Sequence, residues 1–236
     1  MITVLLTAAG SGTRMHQDIP KQFIHVDNKP VIIHTMEAFQ KHPAIDNIVV
    51  VTLDAWTEVL WAYAKQFNIT KLKWVVPGGA TGQESIACGL AAVRDTMSDD
   101  DVIMIHDGNR PLVSSEIISD SIATYKHYGN AVATIPCTEV VFESDNGESS
   151  KVSTPRERLF RTQTPHTYRY GALLDAHKRA KEKGITSTAA SCMLMQQLGE
   201  MTYFSKGSEE NLKITTLDDL KIFKALLHTR QEEWLK

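Results

Sequence analysis

The chain has 236 residues, 42% hydrophobic and 22% charged, with 25 Lys and Arg against 28 Asp and Glu for a net charge of −3. That length suits one large α/β domain over residues 1–236, and the balanced charge excludes a general nucleic-acid binder. No segment approaches the roughly 20 apolar residues of a membrane span; Cys88, Cys137 and Cys192, odd in number and without CxxC spacing, point to a reducing cytoplasm rather than a disulfide framework or a zinc site.

In chain order, "ITVLLTA" (2–8), "NIVVVTL" (47–53), "KWVV" (73–76), "DVIMIHD" (101–107) and "NAVATIP" (130–136) read as strands. They are almost continuously apolar, as strands of a parallel sheet covered on both faces must be. The apolar start lacks a basic leader and runs into a glycine turn, which predicts a buried first strand rather than a signal peptide. Helices alternate with the strands. In "WTEVLWAYAKQF" the residues Trp56, Val59, Leu60, Tyr63, Ala64 and Phe67 form one helical stripe. "SIACGLAAVRDTM" and "SEIISDSIATYKHY" show looser stripes, the second with Ser114 or Ser115 as N-cap. Strand then helix, repeated, predicts a doubly wound, mostly parallel sheet.

Residues 137–158 break the rhythm. A β-rich run, an Asn146-Gly147 turn signal and a polar return strand predict a hairpin. A hairpin leaving the main fold fits a dimerisation arm, or equally a surface hairpin with no partner. The tail predicts helices near 170–182 and 188–198, a strand around "NLKIT", and a last helix starting at Thr216 with Asp219 three residues on, a capping-box start.

The turn after the first strand carries the chemistry. A dinucleotide fold wants GxGxxG, but Gly10 and Gly12 are followed by Met15 where the third glycine belongs, and no P-loop GxxxxGK[ST] is present. In "GSGTRMHQDIPKQF" Arg14 and Lys21 share the loop, with Pro20 just before the lysine. Backbone N–H groups with a bidentate guanidinium and a compact ammonium suit a polyphosphate. Two solvated cations are the bland alternative, against which stands their place after the first strand of an α/β sheet, where ligands bind. Asp107 ends the strand 101–107 at the same sheet edge, although Asp before Gly also caps turns. By strand alternation His106 points away from Asp107 and reads as structural, and no HxH, HExxH or Cys/His cluster supports a protein-held transition metal.

The stretches "AAGSGTRM…PKQF", "PGGATGQESI", "HDGNRP", "RTQTPHTY" and "NLKITTLDDL" follow the order and spacing of the cytidylyltransferases that make CDP-polyols. That family includes 2-C-methyl-D-erythritol 4-phosphate cytidylyltransferase and ribitol-5-phosphate cytidylyltransferase, and the chain resembles it over nearly its whole length. The resemblance implies a Rossmann-like nucleotidyltransferase that joins CTP to a polyol phosphate and releases pyrophosphate, with Mg²⁺ on the triphosphate and a homodimer as the assembly. It implies that Arg14, Lys21 and Lys213 are catalytic. Ala8, Ala9, Gly10, Gly12, Thr13, Gly79 and Ser85 then face the nucleotide, Ser85 being also a candidate N-cap. Asp107, Arg110 and Thr162 face the acceptor, and Asp107 is the one candidate contact to the metal.

Three departures bear on the substrates, the first two on the acceptor and the third, at Gly82, on a nucleotide-side contact. The methylerythritol enzymes place a basic residue on the arm for the acceptor phosphate of the neighbouring subunit; Glu143 stands there in "PCTEVVFES". A carboxylate repels a phosphate, which disfavours methylerythritol phosphate. "TSTAASCM" (186–193) replaces an acidic segment, and Gly82 stands where an arginine is usual. The arm and "IIHTMEAF" resemble the ribitol phosphate branch, whose products feed teichoic acid or capsule synthesis. The methylerythritol enzyme and a catalytically weak nucleotide-binding relative stay as alternatives.

Overall fold

The computed structural model describes residues 1–10 and 19–231. The first half runs β1 (Ile2–Ala8), β2 (His25–Val26), β3 (Lys29–Pro30), α1 (Val31–Lys41), β4 (Asn47–Thr52), α2 (Thr57–Gln66), β5 (Leu72–Pro77), α3 (Gly82–Ala92) and β6 (Val102–Asp107). The second runs α4 (Ser115–Tyr128), β7 (Asn130–Pro136), β8 (Val141–Glu143), β9 (Val152–Thr154), β10 (Phe160–Arg169), α5 (Tyr170–Glu182), α6 (Ser191–Gln197), β11 (Phe204–Lys206) and α7 (Leu217–Gln231).

Seven strands form one sheet in the order β11-β7-β10-β6-β1-β4-β5. All neighbours are parallel except β10, which runs antiparallel between β6 and β7. Alternation sorts β1 onto two cores. Val4 and Leu6 join Met36 and Phe39 of α1, Leu60 of α2 and Ile118 of α4 on one face. Leu5 faces the other side with Val49, Val51, Leu90 of α3, Leu173 of α5 and Leu194 of α6. A smaller cluster of Val26, Val31, Leu112, Ile214 and Phe223 seats α7. Coverage of both faces is why these strands read as unbroken apolar runs.

Local chemistry sets the helix ends. Ser114 Oγ accepts from Ile117 N–H at the start of α4, and Gly129, at φ +87, ends it in a left-handed cap. At α7 the expected box forms: Asp219 N–H donates to Thr216 Oγ1 at 3.2 Å, while Asp219 Oδ2 accepts from Thr216 N–H at 2.8 Å.

Two expectations are corrected. Ser85 does not cap α3, which starts three residues earlier; Thr81 is the N-cap and accepts from Glu84 N–H at 3.1 Å. "NLKIT" is no strand: its backbone groups go to Asn109 and Arg110 rather than to a ladder, and the edge position beside β7 belongs to β11. Two longer elements lie outside the sequence reading. β10 carries Pro165, after a cis peptide bond, inside a polar run, and it accommodates that residue with a register shift between Thr162 and His166. The helix α1 lies across a Pro30 N-cap with no side-chain capping bond.

The hairpin of β8 and β9 pairs in its own two-stranded sheet, with Gly147 at φ +71 in an eight-residue connection, residues 144–151. Asn146 Oδ1 accepts from the N–H groups of Glu148 and Ser149 at 3.0 Å each, so the turn is built on an asparagine side chain rather than on a two-residue hairpin loop. Val140, Phe142 and Val152 are exposed on this arm.

Helix α3 packs flush on the sheet at Gly89, where a Cβ would lie 2.5 Å from Leu5 Cδ1 and 2.8 Å from Val51 Cγ2. Both neighbours are fully buried, so Gly89→Val should destabilise by about 1–3 kcal/mol, read as a lower urea midpoint at unchanged slope; an unchanged midpoint would show that the core yields there.

Candidate active site

The sheet order puts a topological switch between β1 and β6: the chain leaves β1 toward β4 and β5, then returns to pair β6 on the opposite side. In open α/β sheets the crevice beyond the carboxyl ends at such a point is where ligands bind. A cavity of about 590 Å³ lies there, with Thr7–Gly10 and Asp107 on its wall, a size ordinary for a small-molecule site.

Asp107 is its electrostatic centre. The carboxylate Oδ1 accepts from Lys213 Nζ at 2.9 Å and Oδ2 from Arg110 Nε at 2.9 Å. Burial opposes its ionisation, but the Lys213 and Arg110 charges outweigh burial and hold the carboxyl well below the usual range. Asp107 is therefore a carboxylate at neutral pH and no proton donor. Its side chain is spent on these two cations, which answers the alternative of a turn cap. Lys213 remains 41% exposed, so its ammonium can serve a ligand as well. Arg110 is 11% exposed and also donates from Nη1 to the Asn211 carbonyl at 2.7 Å, so its fork first holds Asp107 and the "NLKIT" segment together.

That segment is a strap clamped by side chains. Asn109 donates to the Ile214 carbonyl, and Ile214 N–H returns a bond to the Asn109 carbonyl at 2.9 Å. Asn211 Nδ2 donates to the Thr164 carbonyl at 2.9 Å and to Gln163 Oε1 at 3.2 Å. Thr164 Oγ1 in turn accepts from Asp107 N–H at 3.0 Å. The irregular stretch of β10 thus fixes both Asp107 and the strap that delivers Lys213.

The opposite wall is backbone. Gly78 approaches so closely that a Cβ there would stand 2.4 Å from Ala9 Cβ and 2.8 Å from Ser85 Oγ, and at Gly79 a Cβ would meet Glu84 Cβ at 2.4 Å. Ala8, Ala9, Gly10, Lys21, Gly79, Ser85, Asp107, Arg110, Thr162 and Lys213 all line the one cavity. Gly12, Thr13 and Arg14 lie outside the described residues. Gly82 also lines the cavity, and a Cβ there would meet nothing within 4 Å among the described residues. Glu143 sits on the arm, accepting from Thr154 Oγ1.

The segment that replaces the acidic stretch, with residues that carry no sequence signal, completes the walls. Thr188, Ala189, Ala190 and Ser191 form a side with hydroxyls and methyls and no charge. Gln83 Nε2 holds the Ile185 carbonyl at 2.8 Å, and His166 Nδ1 meets Ser191 Oγ at 2.8 Å. The latter spacing resembles a base and nucleophile, but both residues are buried, and burial pushes the imidazole down to about 4. Such a base is weak at neutral pH, and the pair braces the wall. His106 is fully buried edge-on to Phe39, away from the cavity.

An open α/β sheet with a cationic cavity at its switch point defines a nucleotide- or phosphate-handling enzyme fold. A profile of the 2-C-methyl-D-erythritol 4-phosphate cytidylyltransferase family matches residues 2–229, and the chain belongs to this family of nucleotidyltransferases. It is similar to a ribitol-5-phosphate cytidylyltransferase of Lacticaseibacillus paracasei, 41% identical over 98% of this chain and 100% of the relative. One from Vibrio parahaemolyticus is 39% identical over 98% of both chains. A 2-C-methyl-D-erythritol 4-phosphate cytidylyltransferase of Clostridium botulinum is 37% identical over 95% of this chain and 96% of the relative. Among solved structures, 4-diphosphocytidyl-2C-methyl-D-erythritol synthase of Anaerococcus prevotii superposes with a TM-score of 0.81 over 96% of each chain at 20% identity, a likeness of fold.

Because its native pKa is depressed, Asp107 contributes stability that is present above its unfolded value near 3.9 and lost as pH falls from there toward the native value. Asp107→Asn should therefore flatten the acid limb of the stability curve below about pH 4; a variant whose melting temperature falls with acid as steeply as the wild type would contradict this.

Proposed function

We propose that the protein transfers a cytidylyl group from CTP to a polyol phosphate, ribitol 5-phosphate or a similar pentitol phosphate, giving a CDP-polyol and pyrophosphate. The observation that carries the reading is one cavity lined by Lys21, Lys213 and the backbone of Ala8–Gly10, with Lys213 held by an ionised Asp107. An acceptor phosphate oxygen attacks the α-phosphorus in line, the new P–O bond forms, and the bond to pyrophosphate breaks. No protein nucleophile is needed, so catalysis is positioning and charge neutralisation. Lys21, with Arg14 of the same loop, holds the triphosphate; Lys213 faces the α-phosphate, its ammonium aimed by Asp107; Ala8–Gly10 and Ser85 meet the nucleoside. Thr162 and the neutral Thr188–Ser191 wall meet the acceptor.

Among the described residues no group of three or more His, Cys, Asp or Glu is placed to hold a metal. Asp107 is the only carboxylate on the cavity wall among those residues, and both its oxygens are engaged. That donor set fits Mg²⁺ only as a cation carried on triphosphate oxygens, with Asp107 as at most one protein contact. Bound so, it would neutralise the triphosphate.

The pentitol reading draws on Glu143, whose charge would oppose an acceptor phosphate brought to the arm, and on the 41% and 39% identity to ribitol-5-phosphate cytidylyltransferases. The exposed Val140, Phe142 and Val152 support a homodimer through the arm. The place of action is the cytoplasm, serving teichoic acid or capsule synthesis.

Three measurements test this. Pyrophosphate release is followed with CTP, Mg²⁺ and a panel of polyol phosphates: release with a pentitol phosphate is expected, and release only with methylerythritol phosphate would refute the argument from Glu143. Lys21→Ala and Lys213→Ala should each lower turnover roughly 10²-fold, as for loss of one preorganised charge; near-normal turnover in both would sink the mechanism. Phe142→Asp should shift sedimentation from dimer to monomer, and a wild-type monomer would end the dimer reading.

A further inference from the structure

Gln22 neighbours the charged loop without carrying charge. It lies in the 3-10 turn Lys21–Phe23, and it is 2% exposed. Its Nε2 donates to the carbonyl of Ala8 and, at 3.3 Å, to the carbonyl of Gly10. These two carbonyls bracket Ala9, and Ala8, Ala9 and Gly10 all line the cavity together with Lys21 and Gln22 itself.

Among the described residues the sheet does not hold this stretch. The ladder of β1 with β4 ends at Ala8↔Thr52, and that with β6 ends at Thr7↔Asp107, so residues 9 and 10 have no sheet partner. A Cβ on Gly10 would meet nothing within 4 Å among the described residues. Gly78 presses Ala9 from the far side, and Gln22 holds the carbonyls before and after it. Together they set the directions of the peptide groups from 8 to 10.

Direction is what base selection needs. Cytosine and uracil have nearly the same shape and differ by exchange of donor and acceptor at positions 3 and 4. A backbone edge distinguishes them only if its N–H and C=O groups cannot turn over to suit either one. When they are fixed, the wrong base leaves buried polar groups unpaired and is rejected. We propose that Gln22 is a positioning residue for nucleobase selection, locking the peptide planes of Ala8–Gly10 so that they accept the base of CTP and refuse that of UTP. The role rests on the reading that a nucleotide fills this cavity, and it places Gln22 as the tie between the base wall and the adjacent Lys21.

The test compares wild type with Gln22→Met, which keeps length and removes the donor, and Gln22→Glu, which sets a carboxylate against the two carbonyls. CTP and UTP are each titrated into the Mg²⁺-supplemented protein by calorimetry, and kcat/KM is measured for both with the same acceptor. Both variants are expected to lose about tenfold in CTP over UTP preference, roughly the effect of one net hydrogen bond. KM for the acceptor should stay within about twofold, since Gln22 bonds only the nucleotide side. A preference equal to wild type in the folded variants would overturn the assignment, as would a parallel rise of every KM with a lowered melting temperature. These ratios do not depend on the folded fraction, so partial misfolding of one variant does not blur them. Wild-type protein that binds neither nucleotide would instead overturn the function beneath the assignment.

Discussion

The carboxylate of Asp107, gripped by Lys213 on one oxygen and Arg110 on the other, is the interaction on which the site depends. Lys213 comes from a segment more than a hundred residues away that has no strand to hold it. The ion pairs and the amide clamps of Asn109 and Asn211 stand in for a ladder. Loss of Asp107 would leave Arg110, 11% exposed, without its counter-charge, while Lys213, 41% exposed, could turn to solvent. The same contact that keeps the strap in place therefore fixes the ammonium on the cavity wall, and the fold and the site share one set of bonds.

The sheet makes that contact possible. Because β6 pairs with β1 and the chain switches sides between them, their carboxyl ends open side by side, joined by Gly108 N–H to the Thr7 carbonyl at 2.9 Å. Each wall then uses a different device. The β1 side offers backbone, brought into contact with Gly78 by the absence of a Cβ. The β6 side offers charge. The β10 side offers neutral hydroxyls, with Ser191 tied to His166 and Tyr168 in a buried polar group.

What the sequence made legible follows the same division. The buried strands and both faces of the sheet could be read because continuous apolar runs are a direct consequence of double coverage. The cap of α7 could be read because Thr216 and Asp219 act within one turn. Ten of the proposed site residues, from Ala8 to Lys213, line the one cavity; most of them are named by the family resemblance rather than by any local physical pattern. The strap at "NLKIT" could not be read: its extended shape comes from Asn109, Arg110 and Thr164, which are far away in sequence. Ser85 reads as a cap from local pattern alone, but Thr81 takes that place once α3 packs against the sheet. Gln22 and His166 act through long-range bonds to backbone and to a distant serine, and neither leaves a local signature.

The charge of the cavity explains why an acidic chain can handle polyanions. The whole protein carries −3, yet the charged residues described on the cavity wall are Lys21, Arg110 and Lys213 against Asp107 alone. A crevice lined by one sign of charge focuses field lines, so the local excess of cations governs what enters, while the acidic exterior discourages nucleic acid. Two anions must meet for the transfer, and each brings charge that repels the other until cations stand between them. Lys213 is suited to that place because Asp107 fixes its direction without removing it from solvent. Glu143 lies on the arm, outside this cluster. The arm and the cavity wall are therefore separate groups of residues, and a change of charge at Glu143 leaves the cations of the cavity as they are.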